Sequence, residues 1–308
     1  MYGNPQGIGL INVAMSNFSK GFTNPALMCF QLAPVVPVTR RSFQYMIFDR
    51  SNQRIIPTRR APGGQPVQLS MSYSTDNYIC DAYAAEVPMP RENQATAEQL
   101  GFQLTQKATT QVMDVISLER ESKVIALAKT VTNVTTPTGT DLWDNAASNP
   151  VAQIENIKYT ILESGVAPNT LILGPDMYKA ARLNPQIKAL FQYVQGGVIN
   201  DEMLALAFGV SKVLQANAVS VDGTDTPTFM WKGMAVLAYL APVTTQMDLS
   251  AMKTFVDTTQ GIDGYEVLEF PDPHASKKVD YVSGEMAYDL KITANETIGV
   301  ITGGTAQP

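Results

Sequence analysis

Residues 34–48 read PVVPVTRRSFQYMIF, and the next alternating apolar run is VQLSMSY at 67–73. β-Branched and aromatic residues dominate the first run, with alternation through Phe43, Tyr45 and Ile47, the period of a strand. Between the two runs lies polar sequence with Arg50, Arg54, Arg59 and Arg60, followed by the turn-rich segment Ala61–Pro66. The spacing predicts two strands joined by a long basic tip, a projecting hairpin. A two-stranded hairpin has too little core to be stable alone, so this one requires a partner surface.

Working outward, residues 1–35 show little periodicity and are interrupted by Gly3, Gly7, Gly9, Asn17, Gly21, Asn24 and Pro25. They read as an extended arm with one short helix. Its Leu10, Ile11, Phe18, Phe22, Leu27, Met28 and Phe30 are expected to be buried on something other than the arm. After the hairpin the pattern turns helical. Thr96 and Gln99 fit a capping box, and Leu100, Leu104, Ala108, Val112, Val115 and Ile116 trace an apolar stripe at steps of three and four. Continued to Lys129, this predicts a spine helix of roughly 34 residues, on the order of 50 Å long. Glu119, Arg120, Glu121 and Lys123 at its far end read as solvated.

A polar connector, 131–149, leads into an α/β block. Asn149-Pro150 opens a helix that Gly165 stops, Leu171–Leu173 is a short buried strand, and Pro175, Pro185 and Asp201 open further helices. Strands are expected around Val213–Val219 and Met234–Leu240. The last third reads as β again, at Tyr265–Phe270, in hairpin-like runs within Val279–Ile292, and at Thr297–Ile301.

Charge is distributed unevenly. Residues 1–75 carry seven basic side chains against Asp49 alone, a net of +6, while the remaining fifteen basic and twenty-seven acidic residues give −12. A basic arm on an acidic body suits docking on an acidic surface or contact with nucleic acid. If copies of one chain supply both surfaces, the asymmetry serves self-assembly. The inter-subunit contact residues expected from this are Arg40, Arg41, Arg50, Arg54, Arg59 and Arg60.

Chemistry is hard to find. His274 is the single histidine, two cysteines (Cys29 and Cys80) cannot build a four-thiolate zinc site or a disulfide framework, and no HExxH, GxxxxGK[ST] or GxSxG motif occurs. Gly7-Ile8-Gly9 starts a dinucleotide fingerprint but Asn12 stands where its third glycine belongs. No catalytic residue, metal site or cofactor is expected, and the cysteines read as reduced, partly buried thiols. Trp143 and Trp231 read as core or interface anchors. No apolar run approaches the ~20 residues of a membrane helix, and no secretory signal opens the chain.

The order of these parts resembles the tailed-bacteriophage major capsid protein family (the Johnson fold). Pro34–Val38 looks like its arm-to-hairpin junction and Arg60–Gly64 like its hairpin tip. Tyr78–Ala84 with Val87-Pro88 resembles the lead-in to the spine, while Pro168–Asp176 and Leu206–Val210 resemble the core of its axial domain. The resemblance implies an α+β fold with an N-terminal arm (1–35), an extended loop (36–80), a peripheral domain with the spine helix (81–147), an axial domain (148–271) and a return to the peripheral domain (272–308). It implies a structural protein, not an enzyme, that self-assembles as hexamers and pentamers into an icosahedral shell around double-stranded DNA.

Implied partners are further copies of the chain, a scaffolding protein, a portal protein, a decoration protein and packaged DNA bound without sequence specificity, with no membrane. Localisation would be the virion, after assembly in a host cytoplasm. The arm begins at Met1, so scaffolding is expected from a separate protein. Some members crosslink through a hairpin lysine, but no Lys occurs between Lys20 and Lys107. Two other readings stand beside this one: an encapsulin-type nanocompartment shell, and a soluble α/β enzyme with an unrecognised site.

Overall fold

A computed structural model describes residues 10–20, 24–48, 55–69, 73–99, 103–191, 199–221, 223, 225–259, 261–272 and 278–306. In chain order the elements begin with β1 (Leu10–Ile11), α1 (Val13–Lys20), α2 (Cys29–Leu32), β2 (Val35–Val38), β3 (Ser42–Phe48), β4 (Tyr73–Ile79) and β5 (Asp81–Pro90). The helices α3 (Arg91–Gln99) and α4 (Leu104–Ala128) follow, then β6 (Val134–Thr135), α5 (Pro150–Leu162), β7 (Thr170–Leu173), α6 (Pro175–Leu183), α7 (Pro185–Leu190) and α8 (Asp201–Phe208). The chain ends with β8 (Lys212–Gln215), β9 (Val219–Val221), β10 (Pro227–Phe229), β11 (Met234–Ala238), β12 (Met252–Asp257), β13 (Tyr265–Pro271), β14 (Val279–Ile292) and β15 (Ile298–Thr302).

A six-stranded sheet has the order β1-β13-β14-β12-β2, with β5 also paired to β14. A five-stranded sheet has the order β6-β15-β11-β7-β8, and β3–β4 and β9–β10 form separate two-stranded sheets. Sheet membership cuts across the segments read from sequence. β12 and β13, within 148–271, pair with β14, whereas β15, within 272–308, pairs with β11. The hairpin-like runs expected in 279–292 are instead one 14-residue strand. Its Val282, Gly284, Met286 and Tyr288 face α4 and are buried. Gly284 is no turn residue there: a Cβ would lie 2.7 Å from Cγ1 of Val112, so glycine lets helix and strand approach closely.

The spine is shorter than its pattern implied. Thr96 Oγ1 donates to Glu92 O inside α3 and caps nothing, and Gln103 starts α4 from extended backbone (φ −86°, ψ 91°). Gly101, in the intervening sequence, would cost about 1 kcal/mol in a helix interior. The 25 residues of α4 span roughly 37 Å. Ala108, Val112 and Ile116 are buried and Leu104 partly so, while Val115 is half-exposed; Leu100 lies outside the described residues.

The arm buries its apolar residues on something other than itself, as expected, and the surface is the body of its own chain. Leu27, Met28, Cys29 and Leu32 enter a core with Val124, Ala128, Trp231, Ile298 and Val300, and β1 pairs with β13. Phe18 and Phe30 are partly buried; Phe22 and the side chains of Leu10 and Ile11 lie outside the described residues. Local signals in the α/β block held their places more closely. The Asn149 side chain accepts from Ala152 N at 3.1 Å and Asn184 from Gln186 N at 2.9 Å. At α8 the cap is Asn200, one residue before the expected Asp201. The strand expected over Val213–Val219 is two, β8 joining β7 and β9 joining β10. β5 and β12 carry no alternation strong enough to have been read as strands.

Candidate assembly surface

In the β3–β4 hairpin the register pairs Phe43 with Tyr78 and Tyr45 with Asp76, so Tyr45 and Tyr78 share a face. That face closes on Phe255 of β12: Tyr78 stacks on its ring at 4.7 Å and Tyr45 lies at 5.3 Å. Tyr45 Oη donates to Asp76 at 2.9 Å, and the backbone N–H of Asn77 together with Tyr45 holds the Asp76 carboxyl below its usual range. The opposite face presents Met46, Tyr73 and Ile79 to solvent. The return strand is 73–79 and not the expected 67–73: Tyr78 packs on Phe255, whereas Val67 and Leu69 are exposed.

Every residue from 55 to 69 is exposed, and Ile55 wholly so. The segment therefore lies off the body, carrying Arg59 and Arg60 together with Ile55, Ile56, Val67 and Leu69. Arg40 places its guanidinium 4.7 Å over the Phe43 ring, and Arg41 Nε donates to Cys80 O at 3.0 Å, so these two belong to the hairpin base. Arg50 and Arg54 lie outside the described residues, as does His274. The structure thus places Arg59 and Arg60 on an exposed segment between β3 and β4, and Arg40 and Arg41 at the hairpin's root.

Sequence reading missed a second charged group. Arg120 and Glu121, expected to be solvated, are buried on α4, with 2% and 0% exposure. Glu121 accepts from Met28 N at 3.0 Å, from Cys29 N at 2.6 Å and from Trp231 Nε1. Arg120 donates to Ala33 O at 2.7 Å and to Thr254 Oγ1 at 2.8 Å, with Phe30 beneath its guanidinium. These bonds fasten residues 28–33 to the spine and satisfy the backbone N–H groups that open α2. Glu119 and Lys123 do pair at the surface, at 2.9 Å.

Both cysteines are free and fully buried. Burial raises the Cys29 thiol far above its ordinary value and pushes Cys80 up to about 11, the opposite of what a nucleophile or metal ligand needs. Trp143 and Trp231 are core residues. Among the described residues no cluster of three His, Cys, Asp or Glu side chains could hold a metal, and no helix is long and apolar enough to cross a membrane. What the arrangement offers is contact area: a hairpin rooted by two tyrosines, with a long basic and apolar tip.

No family model matches the sequence. The major capsid protein of Burkholderia phage BcepMu is 27% identical over 239 residues, covering 75% of this chain and 76% of that protein. The major capsid protein of Pseudomonas phage JBD67 is 23% identical over 218 residues, 68% of each. Among solved structures, a phage-related protein from Bordetella bronchiseptica RB50 superposes with a TM-score of 0.78 at 19% identity, over 97% of this chain and 99% of that one. The encapsulin SrpI of Synechococcus elongatus PCC 7942 superposes with a TM-score of 0.55 at 11% identity, over 96% of each. The fold, with its projecting hairpin, spine helix and two larger sheets, is therefore the phage capsid fold, and the sequence is similar over two thirds or more of its length to phage major capsid proteins.

Proposed function

We propose that the chain assembles with copies of itself, as hexamers and pentamers, into an icosahedral shell that encloses double-stranded DNA. The observation that carries this reading is the hairpin. Its 55–69 segment exposes apolar side chains beside Arg59 and Arg60, and a neighbouring copy supplies the surface that covers them. Each such contact is weak, but a subunit that meets many neighbours at once gains through multivalency.

The same reading divides the chain into an arm (1–35), an extended loop (36–80), a peripheral domain (81–147 and 272–308) and an axial domain (148–271), with β12 and β13 lent to the peripheral sheet and β15 to the axial one. The same reading implies scaffolding, portal and decoration proteins as partners and assembly in the host cytoplasm. The shell is held without covalent links, since the hairpin's basic residues are all Arg and a guanidinium is no amine nucleophile. Mature particles boiled in SDS without reductant then run as one band near 33.4 kDa. Negative-stain imaging of the expressed chain tests the main reading. Closed shells with DNA inside support it, shells filled with protein cargo favour the encapsulin-type reading suggested by the SrpI superposition, and dispersed monomers overturn both.

A further inference from the structure

β14 outruns the strand beside it. β5 starts at Asp81, opposite Tyr288, and pairs with β14 back to Val279, so Asp289–Ile292 extend past that neighbour. On the other side β12 pairs with Tyr288–Ile292; there Thr293 N donates to Ala251 O at 3.0 Å, while Thr254 N turns away to Pro34 O. Bonded and non-bonded residues alternate along an antiparallel pair. Asp289 and Lys291 therefore bond to β12, and the N–H and C=O groups of Leu290 and Ile292 point to the side that β5 has left. Among the described residues nothing pairs with them. Such an edge is a template for another strand.

A groove of about 350 Å³ runs beside this edge, with Tyr83, Lys123, Ala126, Leu127, Tyr288 and Leu290 in its walls. The Tyr83 and Tyr288 rings lie 4.3 Å apart, and Lys123 Nζ sits 3.4 Å over the Tyr83 ring. Tyr288 is 1% exposed, and its buried hydroxyl has no hydrogen-bond partner among the described residues. That costs free energy, which a bound polar group would restore. The rim is cationic. Lys123 and Lys291 pair with Glu119 and Asp289, while Lys129, exposed at the end of α4, has no ion pair among the described residues.

We propose that this groove and edge take an extended acidic segment of a separate polypeptide, which adds as a strand to β14 and sets its carboxylates toward Lys123 and Lys129. Main-chain bonds to Leu290 and Ile292 supply affinity, and the apolar walls and the lysines select the side chains. This chain is a poor source of such a segment. Residues 1–69 hold Asp49 as their one acidic residue, and the exposed 55–69 carries Arg59 and Arg60 with Pro57, Pro62 and Pro66. A basic segment is repelled by a cationic rim, and proline cannot donate to a strand ladder. The hairpin's root, at Phe255, lies on the opposite face of the sheet, so this surface is distinct from the proposed assembly contact.

Hydrogen exchange on the full chain tests the proposal, with a synthetic decapeptide alternating valine and aspartate as the probe. Without it, the amides of Leu290 and Ile292 in the unassembled subunit exchange fast and those of Asp289 and Lys291 slowly. The probe slows the Leu290 and Ile292 amides by about tenfold or more, and a decapeptide alternating valine and lysine leaves them unchanged. Lys129→Glu, an exposed substitution, removes the slowing without moving the melting temperature. Tyr288→Phe weakens the slowing although the subunit melts no lower, because the hydroxyl it loses had no partner.

Amides of Leu290 and Ile292 that are already protected in the unassembled subunit would mean a closed edge and overturn the proposal. Equal slowing by the lysine peptide overturns it as well, since charge then selects nothing. Protection that arises when the chain assembles alone, with no peptide present, names a second copy as the occupant and again overturns it.

Discussion

Arg59 and Arg120 carry the same guanidinium in opposite surroundings. Arg59 stands on an exposed segment with no ion-pair partner among the described residues, whereas Arg120 is enclosed between α4, residues 29–33 and β12, where one terminal nitrogen donates to Cys29 O, Ala33 O and Thr254 Oγ1. The hairpin's arginines are exposed, as the proposed assembly contact requires; the spine uses its charges to hold its own arm. Exposed ion pairs are worth about 0–1 kcal/mol each, while removing one member of a buried set leaves desolvated partners behind and costs far more. The comparison predicts two kinds of mutant, subunits that fail to fold and subunits that fold but fail to assemble.

The largest effect is expected in the spine. Val112→Asp would bury an unpaired carboxyl against Gly284 and should destabilise the subunit by about 4 kcal/mol, seen as a fall in the denaturant midpoint. Soluble, assembled Val112→Asp protein would contradict the packing of α4 on β14. Glu121→Ala comes next, at about 3 kcal/mol, because Met28 N, Cys29 N and Trp231 Nε1 lose their acceptor together. Limited proteolysis should then cut within residues 24–33 before the rest of the chain. An uncut arm would show that apolar contacts alone hold it.

A smaller effect concerns acid. Burial opposes the charged form of Asp248, yet hydrogen bonds from Ser250 and Thr245 and the nearby Lys253 hold its carboxyl below the usual range. A carboxyl depressed in the folded state adds stability above its unfolded pKa of about 3.9, and that contribution is lost as pH falls through the folded value. The wild type should therefore lose melting temperature more steeply than Asp248→Asn as pH drops from ~5 to ~3. Parallel acid limbs would show that Asp248 contributes no such term.

The same comparison explains what could be read from the chain. Local devices were legible: Asn149-Pro150 and Asn184-Pro185 start helices because a side-chain oxygen and a fixed φ act within a few residues. The hairpin was legible as alternation, but its return strand was misplaced by six residues, since register there depends on Tyr78 meeting Phe255 nearly 180 residues later. Arg120 and Glu121 were misread because charge was taken to mean solvent. Steps of three and four from Met113 lead through Ser117 and Arg120 or Glu121 to Val124 and Ala128, all buried. The helical phase held the signal, and residue type masked it. The open edge at Leu290 and Ile292 could not be read at all, because it exists only in the register of β5 and β12 on β14.

The most direct test places both halves of the comparison in one experiment: thermal unfolding and sedimentation of Arg59→Glu/Arg60→Glu beside the wild type. Exposed substitutions away from packed features shift stability by at most about 0.5 kcal/mol. The account predicts an unchanged melting curve for the variant subunit and sedimentation near 33.4 kDa where the wild type sediments as particles. Particles of wild-type size and yield from the variant, or a subunit that unfolds early, would contradict it.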